Sequence, residues 1–280
     1  MNLLKFKFGF EKYGPIGFIN VFLSKIGFKY RIQSELKRMI IWHGKNISQM
    51  CKNKIISGHY KGVKIEINKN WNTTDAASKY LGLYELEVQK TIINLQKNNK
   101  FKKKYLINLG AGEGYHPISL VRKKFFKNAI LYEMDENGQY LIKKNSRSNK
   151  IINRIKIFGE ATIDFLNNPH FKNLKLADCF FLLDIEADEF KLLNKKNILK
   201  LRKSNLLIEV HPMYLKNGKR QNKIILINRL KKFFKIEVLT TKNRDLSTYK
   251  FLDNLSDLEK WILASEGRPE KMEWLVCLPK

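Results

Sequence analysis

One apolar run ending in three alternating glycines constrains this chain more than any other feature: Tyr105-Leu-Ile-Asn-Leu-Gly110-Ala-Gly112-Glu-Gly114-Tyr115. The run reads as a buried strand, and a helical pattern follows it. Glycine between the two lets the backbone turn tightly or approach a ligand with no side chain in the way. A second apolar run, Ala129-Ile-Leu-Tyr-Glu133, ends on an acid. It lies about 20 residues on, where a carboxylate meets ribose hydroxyls. Together the two segments predict a nucleotide-type pocket. A dinucleotide fingerprint would put its third glycine at position 115, which is Tyr115; the spacing here is G-x-G-x-G.

Beyond Phe101-Lys-Lys-Lys, strand and helix patterns alternate. Strands are expected over 105–109, 129–133, 154–158, 179–184, 205–210, 233–240 and 272–278. Helices are expected over 115–126, 137–148, 187–200, 219–231 and 255–265, with a short helix or loop at 161–172. Such alternation predicts an α/β fold, a mostly parallel sheet with helices on both faces. Two late strands joined by one helix suit an antiparallel edge pair. Upstream, Ile32, Leu36, Met39 and Ile40 recur at helical spacing between Lys29 and Trp42. Residues 55–68 alternate as a strand pair around Lys61-Gly62, and 75–98 read as one helix capped by Thr74 or Asp75. Three regions follow: a basic, aromatic-rich helical extension (1–57) for substrate or partner contacts, a lead-in (58–100), and the ligand-binding domain (101–280).

At 280 residues and 44% hydrophobic content the chain can bury a full core. No apolar run reaches the roughly 18 residues of a membrane span. Lys5, Lys7, Glu11 and Lys12 interrupt the N-terminal segment, which does not read as a signal peptide. Cys51, Cys179 and Cys277 show no metal-ligand or disulfide spacing, so a reducing cytoplasm is expected. The net charge of +28 has the sign of a nucleic-acid binder. Lys, Asn and Ile share A/T-rich codons, however, and are over-used even in Lys143-Lys-Asn-Ser and Lys195-Lys-Asn, which disfavours nucleic acid as the partner. The field still predicts attraction of anionic ligands such as phosphorylated sugars, lipid headgroups or RNA. Lys5-Phe-Lys-Phe-Gly-Phe10 and Ile16 to Tyr30 mix aromatics with lysines. Such a segment suits packing on its own domain, a homo-oligomer contact, or a peripheral position at the inner membrane surface.

In open α/β sheets ligands bind at the carboxyl ends of the strands. The residues there are Asn108 to Gly114, Glu133, Gly159 with Glu160, Asp184 to Glu189, and Glu209 with His211. The run Cys179-Phe-Phe-Leu-Leu-Asp184-Ile-Glu186-Ala-Asp188-Glu189 ends a very apolar strand in four acids. Asp184 and Glu186 point the same way if the strand continues that far. Alternatively, Asp184 caps the next helix, with Asp188 and Glu189 on its first turn. In Leu206-Leu-Ile-Glu209-Val-His211-Pro212 the strand ends in an acid and an imidazole. His211 is the best base by its ordinary pKa, and Asp184 or Glu186 can serve if burial raises theirs. Asp184, Glu186, Glu209 and His211 also form an oxygen-rich set for Mg²⁺ or another divalent ion. His43, His59, His116 and His170 carry less weight.

The order of these segments resembles the FkbM-type S-adenosylmethionine (SAM) methyltransferases, many of which O-methylate sugars or other hydroxyl groups. Leu83-Tyr84-Glu85-Leu-Glu87 is similar to the family's Y-E-x-E helix, and Asn108-Leu-Gly110-Ala111-Gly112-Glu-Gly114-Tyr115 to its D-x-G-A-N-x-G-Y. Asp184-Ile-Glu186-Ala187-Asp188-Glu189 resembles D-V-E-G-A-E, and Ile208-Glu209-Val-His211 resembles I-E-x-H. Arg268-Pro269 precedes the last strand in the usual way. The resemblance runs from about residue 58 to the end. It implies a class I methyltransferase (Rossmann-like) fold with seven strands and SAM as cofactor. It assigns the cofactor to Glu85, Asn108, Gly110, Ala111, Gly112, Gly114, Tyr115, Glu133, Met134, Glu160, Ala161 and Asp184. It further implies methyl transfer to a hydroxyl of a sugar or glycoconjugate-type molecule. Asn108, Gly112, Met134 and Ala187 stand where the family has Asp, Asn, Pro and Gly. Two alternatives stand beside this reading. An RNA or other nucleic-acid methyltransferase is suggested by the charge, although no N/D-P-P-Y/F string or lysine-containing tetrad is found. A non-catalytic SAM-fold scaffold is suggested by Asn108 and the N-terminal arm.

Overall fold

The computed structural model describes residues 35–67, 73–211, 219–247, 249–268 and 272–280, with Pro15 and Ile19 before them. The aromatic-rich segments ahead of residue 35 lie outside the described residues. So does the start of the helix expected from Lys29, which is described as α1 (Glu35–Cys51). α1 packs on α2 (Ala76–Tyr80), which is followed by α3 (Leu86–Lys97).

The remaining elements alternate as the apolar runs predict. They are β1 (Tyr105–Leu109), α4 (Tyr115–Arg122), β2 (Asn128–Tyr132), α5 (Glu136–Ser148), β3 (Ile155–Phe158) and β4 (Cys179–Leu183). Then come α6 (Glu189–Leu192), α7 (Lys195–Leu201), β5 (Asn205–Glu209), α8 (Lys219–Leu230), β6 (Phe234–Thr240), α9 (Asp257–Ala264) and β7 (Glu273–Pro279). The seven strands form one sheet in the order β3-β2-β1-β4-β5-β7-β6. β1 to β5 are parallel, and β7 is antiparallel to both β5 and β6. This is the class I SAM-methyltransferase fold. Among the described residues no helix is long and apolar enough to cross a membrane.

The strands are near-continuous apolar runs because both faces of the sheet are covered. Leu106, Phe180, Leu182, Leu207, Trp274 and Val276 enter one core, shared with Ile47, Ile55, Ile65, Ile92 and Ile93 from the segments ahead of β1. The alternate residues Ile107, Leu109, Phe181, Leu183, Leu206 and Ile208 enter the other. The period of two follows from the pleat.

Four sequence expectations need correction. Residues 55–68 do not form a strand pair: a single antiparallel bridge, Lys54 with Lys64, stands there. Ile55 pairs across to Val63 and Gly62 at 2.9 and 2.7 Å, but the next N–H, of Ile56, turns away to the Tyr80 carbonyl at 2.9 Å and the pairing goes no further. The helix expected over 75–98 breaks between Tyr80 and Leu86. Gly82 (φ +76) makes the break, and a Cβ there would lie 2.3 Å from the Ser57 carbonyl oxygen. Asp75 stands at the N-cap of α2 but gives no side-chain cap bond: its backbone is already helical at φ −94 and ψ −2, and its Oδ2 pairs with Lys79 at 2.8 Å. The helix expected over 187–200 is split into α6 and α7, Asn194 capping the second through the Asn197 N–H.

Candidate functional site

The register of the sheet builds the site. Phe158, Tyr132, Leu109, Leu183 and Ile208 are successive neighbours across β3, β2, β1, β4 and β5. The residues just beyond them therefore stand in one row: Gly159 and Glu160, Glu133, Gly110, Asp184, and Glu209. A cavity of about 930 Å³ opens over this row. Of the sequence candidates, Glu85, Asn108, Gly110, Ala111, Gly112, Tyr115, Glu133, Met134, Glu160, Ala161, Asp184, Glu186 and Glu209 line it. Gly114 and His211 are not in its lining, Gly114 directly preceding α4 and His211 being 4% exposed.

The glycine loop lies against β4. Gly110 has φ +75, and a Cβ on it would stand 1.7 Å from the Asp184 carbonyl oxygen. The Gly110 and Ala111 N–H groups both donate to the Tyr132 carbonyl, at 2.9 and 3.0 Å. Asn108, which stands where the FkbM-type sequences it resembles have an aspartate, uses its amide as a donor. Its Nδ2 donates to the carbonyls of Leu182 at 3.2 Å and of Leu109 and Gly110 at 3.3 Å. An aspartate has no N–H to give these carbonyls. Buried Glu133 accepts the Gly112 N–H at 2.7 Å on one oxygen and the Asp135 N–H at 2.9 Å on the other. Burial pushes its carboxyl up even so. Each carboxylate oxygen keeps accepting capacity for a ligand hydroxyl.

A second polar layer surrounds Arg268, which sequence reading placed only as a string before the last strand. Its guanidinium binds Glu85 and Glu209, and donates from Nε to Glu266 at 2.9 Å. It lies 5.6 Å from the Tyr84 ring centroid and 5.3 Å from that of Trp274. His116, which carries little weight by sequence alone, brings Nε2 to 2.8 Å from Glu85 and Nδ1 to 3.0 Å from the Tyr60 hydroxyl. Burial opposes ionisation of Glu85, but Arg268 and His116 outweigh it and hold the carboxyl at about 2. Lys79 is buried between Asp75 at 2.8 Å and Glu113 at 2.6 Å, under the Tyr84 ring. Glu85 and Glu209 are far in sequence from Arg268, as are Glu85 from His116 and Glu113 from Lys79, so periodicity and motif spacing do not reveal these pairs.

At the mouth, β4 stops at Leu183, so Asp184 and Glu186 are not alternate residues of one strand. Glu186 (φ 50) and Ala187 (φ 83) are both left-handed, and that bend, not strand pleat, brings the two acids together. Asp184 does not cap the next helix either; Asp188 stands at the N-cap of α6. His211 Nε2 lies 3.5 Å from Asp184, 3.8 Å from Glu209 and 3.9 Å from Glu186. The His211 N–H donates to buried Glu189 at 2.7 Å. Burial pulls the imidazole pKa down, and Glu189, Asp184 and Glu186 together outweigh it. Burial and the Glu85 charge lift Asp184 to about 6. Burial, then Asp184 and Glu85, push Glu209 well above the usual carboxylate range.

No protein-family model matches the sequence, and no curated protein matches it. Among solved structures the chain is similar to an O-methyltransferase from Bacillus cereus in complex with SAH, at 9% identity, over 92% of this chain and 96% of that one, with a TM-score of 0.47. It is similar to the O-methyltransferase TomG from Streptomyces achromogenes, in complex with SAM, at 7% identity over 93% and 96%, TM-score 0.48. It is also similar to the tRNA methyltransferase TrmK of B. subtilis, at 11% identity over 68% and 66%, TM-score 0.41.

Proposed function

We propose that the chain is a SAM-dependent methyltransferase of the FkbM type, acting on a hydroxyl of a sugar or glycoconjugate-type small molecule. The observation that carries this reading is the single row of strand ends, which puts a glycine loop and the carboxylates of Glu133 and Asp184 around one cavity, with His211 outside the lining 3.5 Å from Asp184. Its volume of about 930 Å³ has room for a nucleoside cofactor beside a ring-sized acceptor.

SAM, when bound, supplies an electrophilic methyl group that an acceptor oxygen can take by in-line displacement. The chain's own work is mainly alignment, which can contribute roughly 7–11 kcal/mol. Glu133 receives the ribose hydroxyls on the accepting capacity its two N–H donors leave. Asp184 faces the cavity and takes the acceptor's proton, because its raised pKa suits a base near neutral pH. His211 stands directly behind and stabilises the charge. Asp184→Asn should lower kcat by about 10²–10⁴-fold. His211→Ala should also lower kcat, with little change in cofactor affinity; wild-type turnover in both variants would overturn the assignment.

A metal-assisted version rests on the same mouth. Ligand atoms of Asp184, Glu186 and His211 all lie within 4.8 Å of one another. Glu209, the fourth residue of the expected set, is engaged by Arg268. One imidazole with two carboxylates fits Mn²⁺ better than Mg²⁺, which prefers oxygen ligands. The ion would lower the pKa of the acceptor hydroxyl. Turnover lost in EDTA and restored by Mn²⁺ supports this version, and unchanged turnover in EDTA ends it.

Calorimetry with S-adenosylhomocysteine tests the cofactor assignment. Glu133→Ala should weaken binding at least tenfold, about 1.4 kcal/mol, with the fold intact by circular dichroism. Equal affinity would refute the role given to Glu133.

A further inference from the structure

We infer that the acceptor taken at this mouth is uncharged or positively charged, an amine-bearing polyol fitting best, and that phosphorylated or carboxylated acceptors are turned away. The inference rests on the methyltransferase reading above and names its substrate class.

The chain has 54 lysines and arginines against 26 acids, so a surface drawn evenly from it would show about two cations per acid. The cavity reverses this ratio. Among the described residues, eleven aspartates and glutamates line it and one lysine does. That lysine, Lys79, is already bracketed by Asp75 and Glu113. No described lysine or arginine lies within ion-pair distance of Glu133, Glu160, Asp184, Glu186 or Asp188; the one described basic group near them is the His211 imidazole, 3.5 Å from Asp184 and 3.9 Å from Glu186, a single group against the two acids it shares. Cations gather instead at the other end of the strands. Lys102, Lys104, Lys127 and Arg154, which precede β1, β2 and β3, surround a separate cavity of about 570 Å³ there. Codon usage spreads lysine along a chain; it does not sort charge between the two ends of a sheet.

Range decides which charge an acceptor feels. Exposed charges beyond about 8–10 Å are screened at physiological salt, while groups lining a partly desolvated cavity are screened much less. The diffuse +28 therefore steers from a distance, and the acids decide at contact. Glu186, whose side chain is 70% exposed, and Asp188 stand where an acceptor enters. A phosphate or carboxylate there meets like charge, and an ammonium meets opposite charge. The same field favours the sulfonium of SAM over the uncharged thioether left after transfer.

The test compares one ring with three charges: glucosamine, glucose and glucose 6-phosphate, titrated onto the full chain loaded with S-adenosylhomocysteine. Lys102→Glu/Lys127→Glu is used as background, so that phosphate held at the far basic edge is not counted. Glucosamine should bind at least tenfold more tightly than glucose 6-phosphate, and Glu186→Lys should erase most of that difference. Equal or tighter binding of the phosphate, or no binding of the amine, would overturn the inference. Absence of S-adenosylhomocysteine binding would remove the methyltransferase reading instead. The same three sugars on the unloaded chain would then still decide the charge preference.

Discussion

Ala187 occupies a conformation that glycine takes at no steric cost, φ 83, and follows Glu186 at φ 50. Among the seven described non-glycine residues at positive φ, Glu85, at φ 45 and ψ 47, lines the cavity as Glu186 does, whereas Lys52, Asn53, Lys124 and Lys150 lie away from it. Strain of this kind costs of order 1–3 kcal/mol per residue and gathers at functional sites. Ala187→Gly should relieve it and raise stability by about 1 kcal/mol in urea unfolding, after the entropy glycine adds to the unfolded chain. A loss of stability would show that this backbone is not strained. At Gly110 the direction reverses: Gly110→Ala should abolish S-adenosylhomocysteine binding, because its Cβ would stand 1.7 Å from the Asp184 carbonyl oxygen. Retained affinity would mean that the loop is free to move. The sequence makes the Gly110 loop and the substitution of glycine by Ala187 visible. That Asn108 serves as an interstrand donor is not visible, since the Leu182 carbonyl reaches it only through pairing of β1 with β4.

The parallel strands were legible as elements because burial on both faces makes them apolar runs of strand length. The break before α3 was not, because Leu81 and Leu83 continue the apolar pattern of the flanking helices while Gly82 turns the backbone. That break carries Glu85 to Arg268, 183 residues away in sequence. Arg268 thus ties the segment before β7 to the start of α3 and the end of β5. Arg268→Ala leaves buried carboxylates without their cation and should cost about 3–5 kcal/mol, measured by chemical denaturation. A cost below 1 kcal/mol would mean that the acids simply take up protons. The pH dependence of this link has a definite sign. Glu85's carboxyl is held at about 2 against an ordinary 4.5. Its stabilisation is therefore complete above about 4.5 and is lost as pH falls through 2. Glu85→Gln should flatten the stability profile between those values. An unchanged acid limb would remove Glu85 from the account.

Seen as one molecule, the protein separates its charge along the strand direction. The glycine loop and acids stand at the carboxyl ends, and a basic rim stands at the amino ends. The total of +28 was legible in composition, but its distribution depends on which strand ends share a side, and topology sets that. The fold leaves one large cavity at the carboxyl ends of the parallel strands, where open α/β sheets bind ligands. The central claim is that this cavity holds SAM. Calorimetric titration of the full chain with S-adenosylhomocysteine, with and without Mn²⁺, tests it most directly. Saturable one-to-one binding with a Kd of roughly micromolar order, about −8 kcal/mol, is the result the account predicts. No heat of binding at millimolar ligand would contradict it, and the non-catalytic scaffold would become the better description of the chain.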